Sequence, residues 1–469
     1  MASLRSMAAV LLVSMLLLMN PGGASAYSLL THEQLIDLTW DDSIVPLLLS
    51  RYPNLTPQQL EEARAYAYGG CVIQDIGYYP FGKQIFSDLT HYVRSGDFVV
   101  NLFRNAGNAD ELAFAVGALS HYIGDTYGHA LATNLAVPVE FHRLRRKYGR
   151  VVNYAEGKHQ HVETEFAFDV DEVAHDRMAP VHYLRHIGLG VSMRQLSLAF
   201  YQTYGLSRHL EGSRRQEVNV RNYRFAVRAF IPWIGDALML IHRRHEPPDV
   251  NTPEAVELRS EIVAMATENQ WAKYRHKPGV GTWALAALLV IVPKIGPLRL
   301  AKVKGPTEKT EADYVHSVAV SVEQFRAELR RFTPPPARRR TAHHSTTTSN
   351  GRVDDIPRDP RDPQHPLMNR DLDTGYVVRP GGYPLTDSTY AHLLHMLASQ
   401  PKVPIPPGIQ RDIERYYSNP NAPITTKKHA QQWEQVQRDL ATLRTIPTSR
   451  VPEPYPTYDD RQPSSGAAH

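Results

Sequence analysis

An all-α fold is what this sequence predicts, on three observations. Apolar residues recur at intervals of three and four, as in Leu29, Leu30, Leu35 and Ile36 and again in Leu112, Phe114, Ala115, Ala118 and Leu119. The β-branched alternation of strands is rare. Breakers punctuate the helical pattern at Pro53, Gly69-Gly70, Pro80, Gly107, Pro138 and Gly157.

Taken in order, residues 1–26 read as a secretory signal. Arg5 supplies the positive start, residues 7–19 are apolar but short for a bilayer span, and Ala24-Ser25-Ala26 is a small-x-small cleavage site. A retained anchor is the alternative. A helical catalytic body is expected over 27–248. Glu246-Pro247-Pro248 then stops the pattern, and Thr252 or Asn251 can cap a helix that restarts near Pro253. Residues 249–333 are read as a helical extension packed on the core. Its apolar stretch 283–303 fits a packed helix or, with Lys294, Arg299, Lys302 and Lys304, a peripheral contact with an anionic lipid surface. Residues 334–370 are polar and proline-rich, and are expected to be a disordered linker. Residues 371–446 hold two or three amphipathic helices, among them 388–399 and 428–443. The tail 447–469 is expected to be disordered.

The bulk numbers exclude little but are useful. At 469 residues the chain can build one large core with an appendage. A formal charge of +4 is small for this length and does not argue for nucleic-acid binding. Cys71 is the one cysteine, so no intramolecular disulfide holds the fold.

Two segments carry chemistry. His121, Asp125 and His129 are spaced by four, so at about 100° per residue they share one helical face and can point at one place. His161 and Glu165 repeat that spacing on a second helix. Imidazole and carboxylate hold zinc, and thiols are too few to compete. Upstream, Asp75 sits inside an apolar stretch, where an ionised carboxylate needs a cation or hydrogen bonds. His91 follows it, and His32 lies five residues after Tyr27, the expected new N-terminus. Other histidines read differently. His182 and His186 lack acidic company on their face, His242 and His245 flank two arginines, and His343-His344 lies in the linker.

In this order, behind a cleavable signal, the motifs resemble the bacterial zinc-dependent phospholipases C, whose fold is shared with the S1/P1 nucleases. The resemblance covers residues 27–168, with helical character to about 244. Asp75 followed by His91, His121 followed by Asp125 and His129, and His161 followed by Glu165, an aromatic and Asp169 carry it. It implies a multi-helix phospholipase C/P1 nuclease-like catalytic domain with additional C-terminal helices. It also implies up to three Zn²⁺: one on Asp75, His91, His121 and Asp125, and one on His32 with the amine and carbonyl of Tyr27, bridged through Asp125. The third falls on His129, His161 and Glu165, with His159 and Glu163 as a competing register. Asp75 and Asp125, with the water held between the metals, are the implied catalytic groups.

The implied activity is hydrolysis of a phospholipid to release its phosphorylated head group, outside the cytoplasm, as a secreted or periplasmic protein. A nuclease or nucleotidase acting on nucleic acid with the same three zincs is one alternative. A zinc-stabilised non-catalytic scaffold is another. Phosphatidylcholine-cleaving members are expected to carry aromatics where this chain has Ile76 and Asp88. Tyr78, Tyr79 and Phe81 lie nearby, Asp88 is expected to face solvent from a polar loop, and the head group stays open.

Overall fold

The structure, a computed structural model, describes residues 29–78, 82–206, 224, 237, 250–275, 279, 282–283, 305–332, 367–419, 421–423 and 429–449. The signal at 1–26, Tyr27, Tyr79, Phe81, His242, His245, His343, His344, the tail from 450 and most of 283–303 lie outside these residues. Among the described residues the architecture is all-α, and extended pairing is limited to isolated bridges at Arg370–Val377 and Ile405–Thr448. No described helix is long and apolar enough to cross a membrane.

The principal helices are α1 (Leu29–Thr39), α2 (Pro57–Gly70), α3 (Gln84–Tyr92), α4 (Ala109–Gly128), α5 (Tyr154–Ala174), α6 (Met193–Tyr204), α7 (Pro253–Glu268), α8 (Glu308–Phe332), α9 (Pro384–Ala398), α10 (Pro407–Tyr416) and α11 (Ala430–Leu443). Local chemistry starts several of them. Thr56 forms a capping box with Gln59 ahead of Pro57, and Asn153 forms one with Glu156. Asn108 caps α4 by accepting from Glu111 N, and Thr252 caps α7 by accepting from Ala255 N at 3.2 Å.

α4 is buried on almost every face and forms the axis of the bundle. Its closest neighbour is α2, and glycine sets that approach. A Cβ on Gly70 would meet Phe114 O at 2.0 Å, and one on Gly117 would meet Ala67 O at 2.1 Å. The two backbones therefore touch, and the chain leaving α2 emerges beside the middle of α4.

α8 covers α1 and α4 from outside the first body. Tyr314 stacks on Phe168 at 4.7 Å, and Phe332 stacks on Phe103 at 4.3 Å. The C-terminal helices fold back onto the same core: Leu393, Ile405, Ile409 and Ile413 are buried with it. Asp412 pairs with Arg94 at 3.1 Å, and Pro404 O accepts from Tyr201 OH at 3.0 Å. Tyr390 and Tyr416 stack at 3.7 Å and are interior residues.

Candidate metal centre

Each candidate side chain is delivered by a separate local device. His121 and Asp125 project from α4. Asp75 lies in a 3₁₀ turn, Ile73–Gly77, just past the α2–α4 contact. That turn is tied to α4 by Gln74 Nε2 donating to Ala118 O at 2.9 Å, and Thr90 Oγ1 of α3 donates to Gln74 O at 3.3 Å. His91 sits in the last turn of α3. His32 sits in the first turn of α1, where Leu30 N and Thr31 N donate to Asp169 of α5 at 2.9 and 3.2 Å. Asp169 thus caps α1 from another helix and fixes where His32 begins.

α5 supplies His161 and Glu165. Gly157, with non-helical φ −153° and ψ 56°, breaks its start. The register falls with His161 and Glu165 buried, His159 exposed and Glu163 half-buried.

Eight of the nine candidate residues converge; Tyr27 is outside the described residues. They form three groups, each with ligand atoms within 4.8 Å of one another: His32, His121 and Asp125; Asp75, His91 and His121; and His129, His161 and Glu165. All eight are at most 3% exposed. By spacing alone His121, Asp125 and His129 are expected at one point, whereas the structure separates His129 from the other two. Eight residues of helix rise about 12 Å, so one face holds two places rather than one.

Hydrogen bonds assign the imidazole tautomers. His121 Nδ1 donates to Cys71 O at 2.8 Å, His91 Nδ1 to Ser87 O at 2.7 Å, and His129 Nδ1 to Leu372 O at 2.6 Å. In its neutral form each ring therefore turns a bare Nε2 inward. His121 Nε2 and His91 Nε2 stand 3.4 Å apart. Asp125 Oδ2 is 3.1 Å from the first and 3.3 Å from the second, while Asp125 Oδ1 is 3.3 Å from His32 Nε2. His91 Nε2 is also 3.3 Å from Asp75 Oδ1. In the other group Glu165 Oε1 is 2.9 Å from His161 Nε2 and 3.2 Å from His129 Nε2.

Lone pairs facing lone pairs in a buried pocket repel unless a cation lies among them. Both oxygens of Asp125, both ring nitrogens of His161 and Glu165 Oε2 are buried without a hydrogen-bond partner. This donor set fits zinc: nitrogen and carboxylate oxygen, no sulfur, and several atoms per site. Burial pushes His129 down to about 4 and holds His161 well below the usual imidazole range, so both are neutral, the form that ligates. Burial, with Asp125 and Asp75 nearby, pushes the Glu165 carboxyl well up.

Two residues depart from what the sequence predicts. Asp88 is half-buried within α3 and accepts from Tyr78 OH at 3.1 Å, instead of facing solvent from a loop. The helix turns it towards the aromatic ring that packs 5.4 Å from His91. Asp373 escaped sequence reasoning altogether. It is fully buried, with Oδ2 accepting from Tyr92 OH at 3.0 Å and from Tyr383 OH and Oδ1 4.0 Å from His129 Nδ1. Burial pushes its carboxyl up to about 7. Its sequence context, Asp371-Leu372-Asp373-Thr374-Gly375, signals only a turn. Among the remaining histidines, His186 is exposed and pairs with Glu61 at 3.3 Å, and His182 is exposed.

Residues 31–213 match the family model described as zinc dependent phospholipase C. No curated protein and no solved structure matches the chain. The matched segment contains all eight converging residues and ends well before Leu372 and Asp373. Over residues 31–213 the chain matches the zinc-dependent phospholipase C family, and this match supports a zinc-dependent hydrolase.

Proposed function

We propose that the chain is an exported phospholipase C that releases the phosphorylated head group of a phospholipid. The observation that carries this reading is the convergence of eight buried side chains from well-separated segments, with carboxylate oxygens that lack hydrogen-bond donors.

His91, His121, Asp75 and Asp125 would hold one zinc, His32 with the Tyr27 amine a second shared through Asp125, and His129, His161 and Glu165 a third. Zinc bound there supplies Lewis acidity, polarising the phosphate and making water nucleophilic near neutral pH. The protein's part is orientation and charge. Asp125 presents its two oxygens to different histidines, so one carboxylate can link two sites. Cys71 O and Ser87 O stop the His121 and His91 rings from flipping. Tyr78 and Tyr154, whose rings stand 5.4 Å from His91 and 5.6 Å from His161, shield the cluster from water.

Export belongs to the same proposal. Before cleavage the Tyr27 nitrogen is an amide and cannot coordinate as an amine. The Asp169 cap anchors residues 30 and 31, immediately before His32.

Elemental analysis of the exported protein, with head-group release from vesicles of defined phospholipids and parallel digestion of single-stranded DNA and RNA, tests the reading. Zinc with head-group release is expected. The short interval from Tyr27 to His32 resembles the nuclease arrangement, so nucleic-acid cleavage without lipid turnover would reassign the substrate and keep the metals. Zinc without activity on either would support the scaffold reading.

A further inference from the structure

The turn around Asp373 lies outside the family match, yet it bonds to both His91 and His129. Its shape is local chemistry. Asp371 Oδ1 accepts from Thr374 N at 2.9 Å and from Thr374 Oγ1 at 2.6 Å. Gly375 takes φ +72°, and Arg370 and Val377 close the reversal with an antiparallel bridge. The tip of the reversal, Leu372 and Asp373, is fully buried.

The flanks are clamped to the first body. Tyr122 OH donates to Met368 O at 2.7 Å, Ser95 Oγ to Arg370 O at 2.6 Å, and Asp97 N to Asn369 Oδ1 at 3.0 Å. The tip makes the consequential bonds. Leu372 N donates to His91 O at 3.1 Å, while Leu372 O accepts from His129 Nδ1 at 2.6 Å. Asn134 Nδ2 donates to Asp373 O at 2.7 Å. Asp373 Oδ1, 4.0 Å from His129 Nδ1, has no hydrogen-bond partner of its own.

We infer that residues 367–378 are a positioning strap of the zinc centre, holding His129 with Nε2 turned to His161 and Glu165. The inference rests on the ligand set proposed above. An imidazole can rotate and exchange its nitrogens. A carbonyl on Nδ1–H together with a carboxylate on the same side fixes the tautomer and strengthens Nε2 as a donor. His121 and His91 receive such a carbonyl from within the family-matched segment; among the described residues His129 receives its carbonyl from the strap. The third zinc site is therefore completed by chain more than two hundred residues further along.

Two full-length variants test this. Gly375→Val cannot seat the strap, because a Cβ there meets Thr126 O at 2.4 Å and the φ is left-handed. Asp373→Asn keeps the shape and removes the charge. Parent and variants are loaded with Zn²⁺ or Co²⁺ and dialysed against graded chelator. Retained metal, the Co²⁺ absorption spectrum and circular dichroism are then recorded. One ion per chain should leave Gly375→Val at about ten- to a hundred-fold lower chelator than the parent, with a changed Co²⁺ spectrum. Asp373→Asn should move the same way by less. Parent-like metal retention and Co²⁺ spectrum in a folded Gly375→Val would overturn the strap. If that variant does not fold, a parent-like midpoint and spectrum for Asp373→Asn overturns it instead. A parent chain that takes up no metal would overturn the ligand set itself, a result distinct from failure of the strap.

Discussion

The two ends of the metal cluster are built differently. Around Asp125 two histidine rings are held by backbone carbonyls from within the matched region: His121 by Cys71 O beside the α2 end, and His91 by Ser87 O one turn earlier in its own helix. Around Glu165 the ring of His129 is held by Leu372 O, from a segment beyond the family match. At the first end both ring supports lie within the matched region. The second depends on a distant piece of chain folding back. Equal donor chemistry can therefore rest on unequal scaffolds, and the two ends should respond to different perturbations.

Asp125→Asn should give the largest effect. It weakens the carboxylate that reaches His32, His91 and His121 at once, so turnover should fall by more than the roughly 100-fold that loss of a metal ligand's hydrogen-bonding neighbour costs. Elemental analysis should show zinc lost from this end while the Glu165 end keeps its ion; loss of every ion would mean the ends are not independent.

Extra residues ahead of Tyr27 should act next most strongly and on the same end. One zinc and most activity should disappear, with the Co²⁺ signature of the His129 site retained. Full occupancy in an extended chain would remove the amine ligand from the scheme.

Gly117→Ala probes the scaffold of the first end rather than its ligands. The new methyl meets Ala67 O at 2.1 Å, so α2 and α4 must separate. Overpacking of this kind costs about 1–3 kcal/mol, read as a lower denaturant midpoint. Chelator resistance should drop at the Asp75–His91 site, because its turn follows directly from α2. An unchanged midpoint would show that the contact gives way more easily than the backbone distances indicate.

Thr56→Ala should be the smallest change. It removes the capping box of α2 at an exposed end, costing about 1 kcal/mol of stability without altering zinc content. A loss of metal in that variant would show that the whole first end loosens with α2, blurring the distinction between local and general support.

Much of the ligand set is legible in residue types and spacing. His121 and Asp125, or His161 and Glu165, at four-residue intervals declare a shared face from the chain alone, because helical periodicity is local. Asp75 in an apolar stretch declares that something must compensate its charge. The register between His161–Glu165 and His159–Glu163 is less legible. Both pairs have the same spacing, and burial, together with the break at Gly157, separates them. Asp169 carries a signal as part of the closing motif, but not its task of capping α1. Asp88 is misjudged from sequence because its exposure depends on where Tyr78 packs.

Asp373 and Leu372 mark the limit. Asp371, Thr374 and Gly375 specify a tight reversal through their own hydrogen bonds and φ preference, and that much is written in five residues. Where the reversal docks is decided by clamps from Ser95, Asp97, Tyr122 and Asn134.

By itself the sequence determined the helical class, several helix starts, a family resemblance and a set of side chains able to hold zinc, because periodicity, capping and ligand chemistry act over a few residues. Only the tertiary structure decided how those side chains meet, which nitrogen of the His91, His121 and His129 rings turns inward, and that a late turn supports His129. Those outcomes depend on contacts between segments far apart in the chain, which no local pattern encodes.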